Sequence, residues 1–151
     1  MVKNPVRMCL VFVCCAATTP LASQELGSIT FPTSGAPAAQ AAFLAGVKSL
    51  HSFQFDEAAV AFQRAQKTDP AFAMAYWGEA MSHNHPLWAQ QDTAAAKTVL
   101  EKIAPTLAAR VAKVKTAKEK ALIEAIDVLY YAPGDKLARD RSEERRGGKE
   151  C

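Results

Sequence analysis

From residue 39 onwards, apolar side chains recur every three or four positions. Phe43, Gly46, Val47 and Leu50 fall at i, i+3, i+4 and i+7, one face of a helix. After a three-residue break at Ser52–Gln54, Phe55, Ala58, Ala59, Phe62 and Ala65 repeat the pattern. A break that short leaves room only for a tight turn, so the two helices must run antiparallel. The same reading predicts a third helix from Pro70 to about Ser82. There Phe72, Ala75, Tyr76, Glu79 and Ala80 share one face, with Met74, Trp77 and Met81 beside it. Asp69-Pro70 is read as its start, the Asp capping and the Pro giving up an N–H that has no partner in a first turn.

Further signals place the remaining elements. Pro86 disfavours helix at the residue before it, so His83–Trp88 reads as a loop. Asp92 caps a helix over Thr93–Ala104, with Ala96, Val99, Leu100 and Ile103 inward, and Pro105 ends it. Leu107, Val111 and Val114 suggest a short helix within 106–115. Thr116 and Glu119 form a capping box before a last helix reaching Tyr131, with Leu122, Ala125, Ile126 and Leu129 on one face. Ala132-Pro133-Gly134 then turns the chain. At the other end, 23–36 is an extended leader whose Ile29 and Phe31 are suited to tuck against the first helices. Ser34 is the expected cap of a helix beginning at Pro37. The expected class is all-α.

Residues 39–70, AQAAFLAGVKSLHSFQFDEAAVAFQRAQKTDP, resemble one tetratricopeptide repeat, a helix–turn–helix unit of about 34 residues. Gly46 takes the place of the family's small residue in the first helix. Ala58, Phe62 and Ala65 take the Ala, large aromatic and Ala of the second, and Pro70 the proline near the unit's end. Ser49 departs from the pattern where a large residue is usual. In a second, degenerate unit, Tyr76 stands for the usual Trp, Ala80 for the usual Gly and Glu79 for a Leu. The resemblance implies an antiparallel helix-pair solenoid over residues 37–132, because one pair cannot bury its apolar face alone and such units stack. Small side chains at Gly46 and Ala58 would let helices approach while Phe62 fills the space beside them.

Both ends of the chain change the composition. Residues 1–22 carry Lys3 and Arg7, then the uncharged run Met8–Ala17, then small residues and Pro20. This is the layout of a secretory signal peptide, cleaved after Ala17 or Ala22. Val13 before Cys14 argues against a lipoprotein. Residues 141–151, RSEERRGGKEC, resemble a translated sequencing adapter, with Gly147 the one departure. On that reading the native chain is interrupted at about Asp140, 133–140 begins its continuation, and the last helix should leave Ile123, Ile126 and Tyr130 partly uncovered. Of 18 Lys/Arg and 15 Asp/Glu, two basic residues lie in the first end, and four basic and three acidic in the second, leaving 12 of each between them. A neutral middle gives no reason to expect nucleic acid. All four cysteines, Cys9, Cys14, Cys15 and Cys151, lie in the two ends, so residues 23–140 offer no disulfide, zinc thiolate or thiol nucleophile.

Candidate chemistry is sparse. His83 and His85, two apart beside Pro86, point the same way in an extended loop and could share a metal. No third ligand is near in sequence, and Asp92 is the nearest carboxylate. The commoner role of such a pair is to bond backbone carbonyls. Arg110, Lys113, Lys115, Lys118 and Lys120 lack aromatic interleaving and read as a solvated face. No Gly-rich phosphate loop, nucleophile elbow or close carboxylate pair in a cleft context appears.

The repeat resemblance places Gln40, Phe43, Val47, Leu50, Met74, Trp77, Met81 and Asn84 on the concave side of the units. Partner-binding anchors are therefore expected at Phe43, Val47, Leu50, Met74, Trp77 and Met81, in a groove for an apolar peptide or helix. The same stripe at helical spacing is more often core. The expected function is an exported (secreted or periplasmic) helical scaffold that holds a protein or peptide partner. It would have no catalysis of its own, no cofactor, no nucleic acid and no membrane contact after signal cleavage. Two alternatives stay open: the opening part of a metal-dependent enzyme that uses the His83/His85 loop, and a structural spacer.

Overall fold

The structure is a computed structural model and describes residues 27–134. The expected signal segment, the first leader residues (23–26), residues 135–140 and the expected adapter tail lie outside the described residues. Among the described residues there are six helices: α1 (Pro37–His51), α2 (Phe55–Thr68), α3 (Ala73–Met81), α4 (Thr93–Glu101), α5 (Leu107–Val111) and α6 (Ala117–Tyr131). Two short strands, β1 (Asn84–His85) and β2 (Gln90–Gln91), pair antiparallel between α3 and α4. The class is all-α.

Helices α1 and α2 fold back on each other through the turn at residues 52–54, closed by bonds from Phe53 N to Leu50 O (3.2 Å) and Gln54 N to Ser49 O (2.9 Å). Their contact is close because of three residues. The Phe62 ring of α2 lies against Gly46 of α1 and Gly78 of α3. A Cβ on Gly46 would stand 2.8 Å from the ring, and one on Gly78 closer still. Ala58 and Ala65 are fully buried beside it. One aromatic ring thus sits between two helices that have no side chain at its height. Gly78, not Ala80, is the small residue of α3 at this junction.

Helix α3 is the centre of the bundle. It meets α1 and α2 on one side and α4 and α6 on the other. That is why Met74, Ala75, Trp77, Gly78, Glu79 and Ala80 are all buried, leaving α3 no polar face. The buried Glu79 carboxylate accepts bonds from the side-chain amides of Gln63 (2.8 Å) and Gln66, so it is satisfied without a cation.

Several sequence expectations are corrected. Helix α3 begins at Ala73, three residues after Pro70. Asp69 instead spends its carboxylate on Ala71 N (3.1 Å) and on Ala36 N (2.8 Å), holding the leader. Ser34 does not cap α1, whose N-cap Ala36 has no side-chain bond. It bonds Glu119 eighty-five residues away. The His83–Trp88 loop is half of a ribbon, with a 3-10 turn at Pro86–Trp88 between its strands. Arg110 is buried, not solvated. Its guanidinium bonds Ala104 O (3.0 Å), pairs with Asp127 and lies over the Tyr131 ring at 4.8 Å. Ile123, Ile126 and Tyr130 are buried rather than partly uncovered. Helix α6 is turned by about one residue from the expected face and packs onto α3 and α4, and the Tyr130 hydroxyl donates to Ala80 O (2.7 Å).

Other expectations hold. Asp92 caps α4 by accepting from Ala95 N (2.9 Å). Helix α4 itself stops at Glu101, short of the expected Ala104, so its end is not set by Pro105. The capping box of α6 is present, with Thr116 Oγ1 accepting from Glu119 N (3.1 Å) and Glu119 accepting from Thr116 N (3.1 Å). Glu119 also accepts from the Ser34 N–H and hydroxyl, so one carboxylate ties the leader to the last helix. Burial alone raises its pKa, but the Ser34 and Thr116 bonds outweigh that and hold it below the ordinary value of 4.5. A depressed folded-state pKa gives stability that is full above the unfolded value and is lost as pH falls through the folded one. Glu119→Gln is therefore expected to destabilise at neutral pH, and the gap to wild type should shrink at about pH 3. Urea unfolding at both pH values checks this, and an equal gap at both refutes it.

Candidate functional site

The six residues expected to line an open groove do not form one. Phe43, Val47, Met74 and Trp77 are buried, while Leu50 and Met81 are half-buried against the same core. The leader is part of the reason. Phe31 meets Phe43 edge-on, with ring centroids 5.4 Å apart, and lies 6.1 Å from Trp77. The Lys118 ammonium stands 3.9 Å from the centre of the Phe31 ring. Phe43 also packs on Phe62 and Phe72. These anchors are core side chains, and an extended segment of the chain covers them.

The exposed aromatic surface lies elsewhere, at the end of the bundle where α1 stops, α2 starts and the ribbon projects. Phe53, Leu87 and Trp88 are 51, 69 and 57 % exposed. Trp88 meets Phe53 and Phe55 edge-on, with centroids 6.3 and 6.2 Å away, and Phe53 and Phe55 are 6.2 Å apart. The three rings form one cluster contributed by two separate segments.

The backbone beneath the cluster is strained. Phe53 and Ala89 adopt positive φ, +59° and +50°, and among the described residues no other non-glycine does. For a residue with a side chain, the left-handed region costs on the order of 1–2 kcal/mol. Ala89 reverses the ribbon after the 3-10 turn and leaves Leu87 and Trp88 standing outward. Phe53 closes the α1–α2 turn, a position where Gly or Asn would be relaxed. Such strain tends to collect where a surface has work other than stability. Phe53→Gly is therefore expected to leave unfolding stability unchanged or raise it by up to about 1 kcal/mol. A thermal-melt loss larger than that would show that the Phe53 ring is held for stability.

Beside the cluster is a cleft of about 540 Å³, lined by Phe55, Asp56, Ala59, Ser82, His83, His85 and Gln90–Asp92. His83 and His85 both line it. His85 stacks on Phe55, with centroids 4.1 Å apart and planes at 25°, and its Nε2 lies 3.0 Å from the Ser82 carbonyl. That contact calls for the Nε2–H tautomer and takes one nitrogen out of ligation. Among the described residues no three His, Cys, Asp or Glu side chains are grouped to hold a metal ion. His85 stacks and bonds within the cleft wall, and His83 lines the cleft beside it.

Sequence reasoning passed over Phe53, Leu87 and Trp88 and read Phe55 only as part of the α2 face. A signal was present: bulky apolar residues stand in two breaks between helices, where small polar residues are usual. What the sequence could not show is that the two breaks meet. Among the described residues no helix is long and apolar enough to cross a membrane. Comparison of the chain with protein-family models, curated proteins and solved structures finds no match.

Proposed function

We propose that this chain is an exported, tetratricopeptide-like helical scaffold that holds a protein or peptide partner and has no catalysis of its own. The binding surface is the ring cluster of Phe53, Phe55 and Trp88 with Leu87, not the buried stripe through Phe43 and Trp77. The observation that carries this reading is the solvent exposure of Phe53 and Trp88 as one ring cluster on strained backbone, with exposed Leu87 next to Trp88 in the chain. Large aromatic side chains left in water are unusual on a monomer, and they supply the rigid area that anchors protein contacts. The repeat reading is supported by the α1–α2 pair with Phe62 seated on Gly46. Export is supported by the layout of residues 1–22, and mass spectrometry of chain recovered from a bacterial periplasm should find a start at Thr18 or Ser23.

The binding reading is tested with a random 12-residue peptide library panned against the immobilised full chain. Recovered peptides should lose at least about tenfold in affinity for Trp88→Ala, equivalent to about 1.4 kcal/mol. Circular dichroism should be unchanged, since Trp88 is mostly outside the core. Recovery only of peptides that bind Trp88→Ala equally well rules this surface out.

A further inference from the structure

The charges around the ring cluster are of one sign. Asp56 and Asp92 line the cleft, and Glu57 is exposed in the first turn of α2. No Lys or Arg occurs from Ser49 to Gln63 or from Thr68 to Ala96, the two segments that build this end of the molecule. Of the cations that flank these segments, the Lys48 ammonium reaches Gly27 O (3.3 Å), Lys97 lies over the Tyr131 ring at 4.9 Å, and Arg64 and Lys67 stand in the second half of α2. His51, His83 and His85 are the only other titratable bases in these segments. The basic side chains instead gather where α2 ends and where α5 and α6 meet, at Lys67, Lys102, Lys113, Lys115, Lys118 and Lys120. Residues 23–140 are neutral in sum, yet among the described residues the carboxylates of Asp56, Glu57 and Asp92 flank the exposed rings.

Resting on the proposed partner-binding role, we infer that the occupant of this surface is a basic peptide segment, one that sets an apolar or aromatic residue against Leu87 and Trp88 and a Lys or Arg beside it in the cleft. Two independent attractions select the cation. The carboxylates of Asp56 and Asp92 favour it by charge, and the faces of Trp88 and Phe53 favour it through the ring quadrupole. An acidic segment meets repulsion from the same carboxylates. Among the described residues, the two segments that build this surface hold no Arg or Lys to pair with a peptide carboxylate. That sets it apart from helical-repeat grooves that clamp a C-terminal carboxylate. A cleft of about 540 Å³ has room for side chains but not for a folded domain, so the partner's contact is a segment or loop.

The test uses fluorescein-labelled synthetic peptides in anisotropy titrations with the full chain at low and at physiological salt. One peptide alternates Lys/Arg with Leu/Trp; a second has Glu in place of every Lys and Arg; a third has Gln there. The basic peptide should bind at least about tenfold tighter than the acidic one, with the Gln peptide between them. Added salt should narrow the gap. The double variant Asp56→Asn/Asp92→Asn should weaken only the basic peptide, by about tenfold, bringing it near the Gln peptide. Asn still caps a helix, so α4 keeps its start in this variant. Trp88→Ala should weaken every peptide that binds.

Equal affinity for all three peptides, lost in Trp88→Ala, overturns the charge selectivity and leaves the partner-binding role standing. Binding that ignores Trp88→Ala, or its absence for all three peptides, overturns both. So does sedimentation showing that the chain self-associates through this face, with wild type dimeric and Trp88→Ala monomeric: the occupant is then a second copy.

Discussion

Replacing Phe62 with alanine is expected to lower unfolding stability by about 3–5 kcal/mol, the largest single loss in the molecule. Phe→Ala in a core always forfeits transfer energy. Here the hole also cannot close, because the ring's neighbours at that height are Gly46 and Gly78, which have no side chains to swing into it. The complementary change, Gly78→Ala, drives a Cβ into the ring and should cost about 1–3 kcal/mol through overpacking. Combined, the two changes should cost less than their sum, since the added methyl occupies part of the vacated space. Urea unfolding of the three variants measures the coupling. If Phe62→Ala does not fold, Phe62→Leu with and without Gly78→Ala reads the same sign. A loss below about 1 kcal/mol for Phe62→Ala would mean the ring is not the wedge between α1, α2 and α3.

Asp127→Ala is expected to cost about 3 kcal/mol, although Asp127 is partly exposed. The loss comes from Arg110. Its guanidinium is buried among Ala104 O, Asp127 and the Tyr131 face, and removing the carboxylate leaves a buried charge with one carbonyl and one ring. Arg110→Met with Asp127→Leu should recover at least half of that loss, because the charge and its partner leave together. The pair therefore holds the α5–α6 corner in register more than it adds stability. Unfolding measured at low and at 1 M salt checks the assignment. A surface ion pair would show a small loss for Asp127→Ala that disappears at high salt.

How far the sequence could be read depends on the range of each interaction. The helix pair α1–α2, the ends of α2, the Asp92 cap and the Thr116–Glu119 capping box were all legible. Each is decided by residues within one helical turn or by a repeat pattern along it. The inner face of α6 was misread by one position. Leu122, Ala125, Ile126 and Leu129 and the true set Ile123, Ile126 and Tyr130 are both valid helical stripes, and only the neighbouring helices choose between them. The same ambiguity misled the reading of the partner stripe. Phe43, Val47, Met74 and Trp77 have the spacing of a groove and of a core alike, and the leader with Phe31 decides for core.

By itself, then, the sequence determined that this chain is helical, where most helices start and stop, and that Gly46 and Phe62 belong to one close helix pair. Periodicity and caps act over a few residues, so one dimension is enough to read them. The tertiary structure alone decided that Gly78 completes the socket for Phe62, that Arg110 and Glu119 are buried, and that Phe53 and Trp88, thirty-five residues apart, form one acid-flanked ring cluster. Those outcomes depend on which helices meet in space. Contact between distant segments is settled by the whole core at once, and no local pattern records it.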